Sequence, residues 1–413
     1  MDLPTLDNVN VKDKTVIVRV DINSPLDPKT GEIIDDTRIR ESAVTIKELA
    51  NKGAKIVLLA HQGRLGDADF TILEKHAKKL SEATGLKVRY LMDLFYGPAV
   101  SEAIKAMQPG EVILLENVRF LAEESVNRPF EDQAKTRLVR SLAPLAQVFV
   151  NDAFAAAQRP HASITGFPVL LPSYAGRLME KEIKGMSRSL SPEHPCVYLL
   201  GGAKCDDVIK IMEHSLGKGI VDTVLTGGIL ANIFLMVSGK DLGGPNVKLI
   251  FEKHDGKMIE RARNLYSKYC DRIRTPVDFV VEDMGKPKVI SVGDLPKNVE
   301  IRDIGPRTIA AYSKILAGAK TIVAKGPMGM FERKGFDRGT LELLRAMANS
   351  KAFKIIGGGH TVAVANMAGV RGKIDHISTG GGATVSFLSG EPMPGIEALL
   401  YSKRIMQSKS GAS

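Results

Sequence analysis

Five arginines in the first part of the chain follow short apolar runs or stand at turns and helix starts, where a side chain can reach a ligand. Two histidines share such positions, and the full set is Arg19, Arg38, Arg64, Arg119, Arg159, His61 and His161. A single arginine is most often a solvated surface residue. Guanidinium groups bind carboxylate and phosphate oxygens through paired hydrogen bonds, so five together predict a site for a small anion. Asp21 and Asn23 would accept hydrogen bonds from a hydroxyl of the same ligand.

The second part of the chain places glycines after its apolar runs. Of the 39 glycines, 8 lie in residues 1–170 and 31 lie beyond. Five turns of this kind are GGAK (201–204), GGILAN (227–232), KGPMG (325–329), GGGHT (357–361) and STGGGAT (378–384). Each alone is a weak indicator, but together they predict backbone N–H groups that approach a phosphate, with Lys204 as a nearby positive charge. None matches a P-loop or a strict dinucleotide fingerprint, so a nucleotide site of another kind is expected.

No arrangement of Ser, His and Asp or of Cys and His suggests a covalent nucleophile. That fits phosphoryl transfer, in which the protein mainly positions reactants and neutralises charge. Cys196, Cys205 and Cys270 are far apart and lack CxxC spacing. Neither a disulfide framework nor a zinc site is therefore predicted.

The composition favours small phosphorylated ligands over polymers. The net charge of +10 suggests an anionic partner, but Trp is absent and aromatic residues make up only 5% of the chain, which disfavours nucleic acid. No apolar stretch is long enough to span a bilayer and the N-terminus lacks a secretory pattern, so no membrane partner and a cytoplasmic location are expected. At 413 residues, two domains are expected.

Alternating β-branched runs and helical patterns predict parallel βαβ units that position these residues at the carboxyl ends of strands. In the first part, strands are expected near 15–20, 55–60, 87–91, 111–115 and 147–150, with helices near 38–52, 71–84, 98–107 and 130–143. A second parallel set is expected, with strands near 196–200, 222–226, 278–281, 321–325, 353–356 and 375–378. Residues 173–190, capped by Ser173, are expected to form one connecting helix.

The motifs of both parts resemble those of the phosphoglycerate kinase family. In the first part they are RVDINSP (19–25), LLAHQGR (58–64), LLENVRF (114–120) and FVNDAFAAAQRPHAS (149–163), with Arg38 at a helix start. In the second part they are LLGGAK, LTGGILAN, GPMGMFE (326–332), GGGHT and HISTGGGAT (376–384). They follow the family's order over nearly the whole chain.

The resemblance implies an α/β fold with two Rossmann-like three-layer domains, whose parallel sheets are joined by a hinge helix. The expected parts are a 3-phosphoglycerate-binding domain over 1–170, the hinge helix over 171–192, a nucleotide-binding domain over 193–393 and a tail over 394–413. The tail is expected to be helical and could return to the first domain. A monomer or a homodimer is expected.

The resemblance also implies reversible phosphoryl transfer between 1,3-bisphosphoglycerate and ADP, in glycolysis or gluconeogenesis. The implied substrate residues are Asp21, Asn23, Arg38, His61, Arg64, Arg119 and Arg159. The implied residues for ATP or ADP with Mg²⁺ are Gly202, Ala203, Lys204, Lys325, Pro327, Glu332, Gly358, Gly359, His360 and Thr361. Arg38 and Lys204 are the expected catalytic residues, and no general base is needed because the acceptor is an ionised carboxylate.

Three residues depart from the family pattern. Val208 stands where a second lysine is common, Lys325 where an asparagine is common, and His360 where an aspartate usually helps to bind magnesium. We expect Lys325 to supply the charge missing at 208. The metal ligands stay open, with nucleotide phosphates, water and Asp206 or Asp207 as candidates. These departures are typical of archaeal members.

Two other functions compete with this one. The first is a kinase that acts on a different small acid, which the arginine set disfavours if that acid is unphosphorylated. The second is a non-catalytic binder of nucleotides or nucleic acid, which the high isoelectric point and the three departures suggest. The presence of both Arg38 and Lys204 argues against a dead enzyme.

Overall fold

The structure, a computed structural model, describes residues 3–295 and 298–410. The described chain forms two compact units. Unit 1 contains the chain up to Ile183 and again from Pro392, and unit 2 runs from Lys184 to Glu391. Each unit is built on a six-stranded parallel sheet with helices, so the predicted α/β fold class is confirmed.

The parallel sheet of unit 1 has the order β3-β4-β2-β1-β5-β6. Its strands are β1 (Thr15–Arg19), β2 (Lys55–Ala60), β3 (Val88–Tyr90), β4 (Val112–Asn117), β5 (Val148–Asn151) and β6 (Ser173–Ala175). The first five lie where strands were predicted. Because alternate residues of a strand face opposite sides, Val16 and Val18 enter one core cluster and Ile17 enters the other.

Helices cover both faces of this sheet. They are α1 (Thr37–Asn51), α2 (Glu74–Thr84), α3 (Pro98–Lys105), α4 (Phe130–Gln133), α5 (Arg137–Leu142) and α6 (Phe167–Leu170). The single helix predicted near 130–143 is wrong, because the chain breaks between α4 and α5. The Glu123 carboxylate accepts hydrogen bonds from the backbone N–H groups of Arg137 and Leu138, at 3.1 and 2.8 Å, and thereby starts a new helix.

The segment predicted as one helix over 173–190 is a strand followed by a helix. Its first three residues form β6 against β5, and α7 (Arg177–Leu190) begins after Gly176. The Asp152 carboxylate, which follows β5, accepts hydrogen bonds from the backbone N–H groups of Leu178 and Met179 at 2.9 and 3.1 Å. The helix is therefore capped by an aspartate that is distant in sequence, and not by Ser173 as predicted. The boundary between the two units falls within α7.

Unit 2 contains a parallel sheet and a smaller antiparallel one. The parallel strands are β7 (Cys196–Leu200), β8 (Thr223–Thr226), β9 (Ile273–Arg274), β13 (Thr321–Lys325), β14 (Phe353–Gly357) and β15 (His376–Ser378), in the order β15-β14-β13-β7-β8-β9. The antiparallel strands are β10 (Asp278–Asp283), β11 (Lys286–Ser291) and β12 (Glu300–Ile304), in the order β11-β10-β12.

The predicted strand near 278–281 was therefore assigned to the wrong sheet. It belongs to β10, which pairs antiparallel with β11. Two residues connect these strands, Met284 and Gly285, and both have positive φ, 48° and 74°. A two-residue turn of this kind closes a tight hairpin rather than a parallel crossover. The two-residue strand β9 takes the edge of the parallel sheet instead.

The remaining helices of unit 2 surround these sheets. They are α8 (Cys205–Gly217), α9 (Gly228–Val237), α10 (Gly244–Lys253), α11 (Gly256–Tyr269), α12 (Pro306–Gly318), α13 (Arg338–Asn349), α14 (Gly359–Met367) and α15 (Gly382–Leu388). The tail forms α16 (Pro394–Ser410) and packs within unit 1, where the Ser402 hydroxyl donates to the Leu171 carbonyl at 3.0 Å. No helix in the described ranges is long and apolar enough to cross a membrane.

Candidate active site

In unit 1 the predicted polar side chains gather at the carboxyl ends of β1 and β2. The Arg38 guanidinium donates a hydrogen bond to Asp21 Oδ2 at 2.8 Å. Asn23 Oδ1 accepts one from the backbone N–H of Gly63 at 3.0 Å, and Arg119 donates to the carbonyl of the same glycine. The loops after the two strands are thus tied together at the edge where a parallel sheet binds its ligand.

Burial and neighbouring arginines lower the pKa of two arginines at this edge, Arg119 and Arg159. The pKa of Arg119 falls to about 10 through burial and through the neighbouring Arg159, Arg19 and Arg64. Burial and Arg64 also lower the pKa of Arg159, and nearby carboxylates oppose this effect. The part that neighbouring arginines play in these shifts indicates concentrated positive charge, which a bound anion would relieve.

Two buried histidines lie beside these arginines. His61 is only 4% exposed, and burial, followed by the charge of Arg19, holds its pKa well below the ordinary value. Burial and then Arg159 lower the pKa of His161 to about 3. Both rings are therefore neutral near pH 7, and they can offer hydrogen bonds to a ligand without adding charge.

Arg19, although predicted as one of the anion-binding arginines, directs hydrogen bonds to groups inside the protein. It is the last residue of β1 and is only 1% exposed, and its guanidinium N–H groups donate to acceptors inside the protein. Its Nε donates to Ser163 Oγ at 2.8 Å, its Nη1 to the Val20 carbonyl at 2.5 Å and its Nη2 to His61 Nδ1 at 3.0 Å. Arg19 therefore supports the site from within.

Sequence reasoning missed the buried polar residues behind this edge. Glu124 is fully buried and accepts hydrogen bonds from both the N–H and the hydroxyl of Ser163, at 2.8 and 2.6 Å. The Gln62 amide joins the two loops, because it accepts from the Ser24 N–H and donates to the Ser24 carbonyl. Gln62 and Ser163 stand inside the recognised motifs, so a signal for them existed, whereas Glu124 stands outside.

Unit 2 contains a cavity of about 510 Å³ beside the turns that follow β7 and β13. Its volume is in the range of small-molecule sites. Five of the predicted nucleotide residues line it, namely Gly202, Ala203, Pro327, Glu332 and His360. The two turns approach so closely that glycine is required, because a Cβ at Gly201 would lie 2.3 Å from the Pro327 carbonyl oxygen.

The other five predicted nucleotide residues lie outside the lining of this cavity; they are Lys204, Lys325, Gly358, Gly359 and Thr361. The Thr361 hydroxyl accepts a hydrogen bond from the Gly326 N–H at 2.8 Å and so joins the turn after β13 to α14. Gly358, with φ of 94°, precedes that helix. The first N–H groups of a helix lack intrahelical partners and favour a phosphate.

Lys325, at the end of β13, lies among charged groups from a neighbouring turn and helix. Burial lowers the pKa of its ammonium, Asp207 acts to raise it, and Lys204 acts to lower it. A Cβ placed on Gly358 would lie 3.7 Å from Lys325 Nζ, so this ammonium faces the start of α14. Val208 is 2% exposed, and its side chain fills the core instead.

Asp206 and Asp207, the two carboxylates that the sequence offered as candidate metal ligands, have different surroundings. Asp206 Oδ2 lies 3.3 Å from Nδ1 of the buried His254, whereas Asp207 lies near Lys325. His360 is exposed, and its ring lies 5.8 Å from that of Phe331. Within the described ranges no three His, Cys, Asp or Glu side chains are grouped to hold a metal ion. The residues therefore do not fit a resident metal site.

The cavity of unit 2 also has apolar walls that sequence reasoning missed. Ile229 of α9, Leu249 of α10 and Phe279 of β10 contribute to them. Ile229 stands within the GGILAN turn, so its position was open to prediction. Leu249 and Phe279 carry no sequence signal, because the antiparallel sheet and α10 reach the cavity only through the fold.

Two α/β units, one with clustered arginines and one with a cavity between glycine turns, define the class of two-domain nucleotide-dependent phosphotransferases. The family model described as phosphoglycerate kinase matches residues 6–391. The chain is 48% identical to the phosphoglycerate kinase of Methanothermus fervidus over 396 residues, which is 96% of each chain. It is 49% identical to that of Methanococcus maripaludis, over 96% of this chain and 97% of the relative.

Solved structures agree with these sequence relatives. The crystal structure of phosphoglycerate kinase from Pyrococcus horikoshii aligns with a TM-score of 0.89 and 42% identity, over 97% of this chain and 100% of the other. That from Coxiella burnetii aligns with a TM-score of 0.83 and 33% identity. The chain belongs to the phosphoglycerate kinase family. It is a glycolytic kinase that transfers a phosphoryl group to the carboxyl group of 3-phosphoglycerate.

Proposed function

We propose that unit 1 binds 3-phosphoglycerate and 1,3-bisphosphoglycerate through Asp21, Asn23, Arg38, His61, Arg64, Arg119 and Arg159. The observation that carries this proposal is the gathering of these side chains at one edge of the sheet, where Arg38 donates to Asp21 at 2.8 Å and both Asn23 and Arg119 bond to Gly63. A ligand with both a phosphate and a carboxylate neutralises the positive charge of these arginines, and an unphosphorylated acid leaves part of it uncompensated.

ATP or ADP occupies the cavity of unit 2, with its phosphates toward the glycine turns and the start of α14. The proposed contacts are Gly202, Ala203, Lys204, Lys325, Pro327, Glu332, Gly358, Gly359, His360 and Thr361. Mg²⁺ arrives as part of the nucleotide substrate and is held mainly by phosphate and water, with Asp207, which lies near Lys325, as the candidate carboxylate. The pairing of Asp206 with His254 disfavours Asp206 for this role.

In the ATP-consuming direction, a carboxylate oxygen of 3-phosphoglycerate attacks the γ-phosphorus and ADP leaves. The acceptor is already ionised, so no side chain has to remove a proton. Arg38 and Lys204 stabilise the charge of the transferring group. The two ligands bind in different units and must meet, so we propose closure that involves α7, the helix that contains the unit boundary.

A coupled assay tests this function. ATP and 3-phosphoglycerate are expected to give an acyl phosphate that a reducing dehydrogenase consumes, and acetate or glycerate is expected to give none. Arg159→Ala should raise KM for 3-phosphoglycerate at least about 10-fold with KM for ATP kept, whereas Arg140→Ala, on the exposed face of α5, should leave both unchanged. No signal above a no-enzyme blank would reject the proposal.

We place the enzyme in the cytoplasm as a monomer or homodimer that binds neither nucleic acid nor membranes. The three cysteines are free, with Cys196 and Cys205 buried, which fits a reducing compartment. The alternative of a nucleic-acid binder predicts salt-sensitive binding to DNA without phosphoryl transfer, and a binding titration at two salt concentrations distinguishes it.

A further inference from the structure

Behind the anion site of unit 1, four side chains form a continuous series of hydrogen bonds. They are Glu124, Ser163, Arg19 and His61, and each is at most 4% exposed. The series runs from Glu124 Oε1 to Ser163 Oγ at 2.6 Å, to Arg19 Nε at 2.8 Å, and from Arg19 Nη2 to His61 Nδ1 at 3.0 Å. We call it the buried relay.

The directions of the two Arg19 hydrogen bonds in the buried relay are fixed, because a guanidinium only donates. Its Nε donates to Ser163 Oγ, and the Ser163 hydroxyl in turn donates to Glu124 Oε1. Its Nη2 donates to His61 Nδ1, so this nitrogen carries a lone pair. The proton of the neutral ring therefore sits on Nε2.

Glu124 anchors the far end of the buried relay. Its Oε2 accepts the Ser163 N–H at 2.8 Å, so both oxygens hold the same residue. Ser163 lies in a π-helical turn, Ala162–Gly166, which presents its N–H and hydroxyl together. Burial lowers the pKa of Arg19 and raises that of Glu124, and the charge of each group opposes the effect on the other, so the two act as a buried pair. Loss of such a partner would leave an uncompensated buried charge.

We propose that Glu124, Ser163 and Arg19 are positioning residues that hold His61 as its Nε2–H tautomer, so that it donates a hydrogen bond to an anionic oxygen of the substrate. This inference rests on the proposed function, which places 3-phosphoglycerate in unit 1. A neutral donor suits a site already crowded with arginines, because a charged imidazole would be repelled by them.

Two variants from one turn test the kinetic consequence. Ser163→Ala removes the relay hydroxyl, and Thr165→Val removes a buried hydroxyl that donates only to the His161 carbonyl, at 3.1 Å. We expect Ser163→Ala to raise KM for 3-phosphoglycerate about 10-fold and KM for ATP less than about twofold. Thr165→Val should leave KM for 3-phosphoglycerate within about twofold of the unchanged protein. Equal values of this KM in the two variants would overturn the proposal.

Nitrogen NMR of the ¹⁵N-labelled His61 ring, assigned with His61→Ala, tests the tautomer without substrate. The unchanged protein should have Nε2 protonated and Nδ1 bare near pH 7, and Ser163→Ala should give a mixture of tautomers. A proton on Nδ1 in the unchanged protein would contradict the proposal. If His61→Ala leaves KM for 3-phosphoglycerate unchanged, the site assignment fails instead, so the two failures are distinguishable.

Discussion

At the residue scale, the parallel sheet explains why the sequence could indicate so many candidate site residues. The carboxyl ends of neighbouring strands meet at one edge, so the side chains after β1, β2 and β5 had to gather. The contact between Glu124 and Ser163 could not be predicted even though Ser163 lies in a recognised motif, because a 3₁₀ turn and a π-helical turn bring the two residues together. Arg19 ends an apolar run as other predicted arginines do, so the sequence could not show that its guanidinium is buried and hydrogen-bonded inside the protein.

Lys325 is the residue whose role in unit 2 is most open to a direct test. Lys325→Met keeps the length of the side chain but removes the charge near Lys204 and Asp207. Because the ammonium is expected to neutralise phosphate, kcat/KM for ATP should fall roughly 100-fold, with KM for 3-phosphoglycerate kept. Steady-state kinetics measure both.

The matched control for this prediction is Lys320→Met. Lys320 is exposed and precedes β13, the strand that ends at Lys325, so the same change is made at the opposite end of one strand. It should leave the kinetics of both substrates unchanged. Nearly full turnover by Lys325→Met would remove Lys325 from the proposed phosphate contacts.

At the scale of elements, buried aspartates on strands or just after them start three helices. Asp152, after β5, caps α7, Asp278 of β10 accepts from Arg307 and Thr308 in α12, and Asp303 of β12 accepts from Gly339 in α13. Each partner is about 25 or more residues away in sequence. Local capping patterns could not predict these starts, which is why Ser173 was chosen wrongly and β6 was missed.

Gly176 is required by this capping geometry. A Cβ there would lie 2.2 Å from Asp152 Oδ1, so Gly176→Ala should displace the cap and lower the free energy of unfolding by about 1–3 kcal/mol. Urea unfolding measures it. Gly217→Ala, at the end of α8 with no atom within 4 Å of the added Cβ, should be neutral or stabilising by up to about 1 kcal/mol. Equal effects of the two changes would contradict the role assigned to Gly176.

The same cap predicts a pH dependence of stability. Burial raises the pKa of Asp152 from 3.8 to about 7, against hydrogen bonds from Thr45 and from the start of α7. The folded state therefore holds a proton that the unfolded state has lost. The contribution of this group to stability is full below about pH 4 and is lost as the pH rises through about 7.

Asp152→Asn should remove this part of the pH dependence. The Tm of the variant minus the Tm of the unchanged protein, both measured by calorimetry, should become more positive as the pH rises from about 5 to about 8. The reason is that only the unchanged protein loses stability when Asp152 ionises. Asp27→Asn, in an exposed turn where Asp27 accepts hydrogen bonds from the N–H groups of Lys29 and Thr30, is the control for loss of a charge. A constant difference in Tm for Asp152→Asn across this range would contradict the raised pKa.

At the scale of the whole molecule, the two units divide the chemistry by the kind of group that they offer. Unit 1 gathers guanidinium and imidazole side chains, and unit 2 has a cavity beside glycine turns. Under the proposed function, the first holds the small acid and the second holds the nucleotide. The sequence predicted this division and the two parallel sheets, since strand periodicity and turn composition are local properties. It could not predict the antiparallel sheet or its contribution to the cavity of unit 2, because these depend on contacts distant in the sequence.

The most direct test is a crystal structure of the unchanged protein with 3-phosphoglycerate and a non-hydrolysable ATP analogue. We expect the acid on Arg38, Arg119 and Arg159 of unit 1. The analogue should occupy the cavity of unit 2, with its phosphates against Lys204 and the start of α14. Both ligands in one unit, or a nucleotide outside that cavity, would contradict the account.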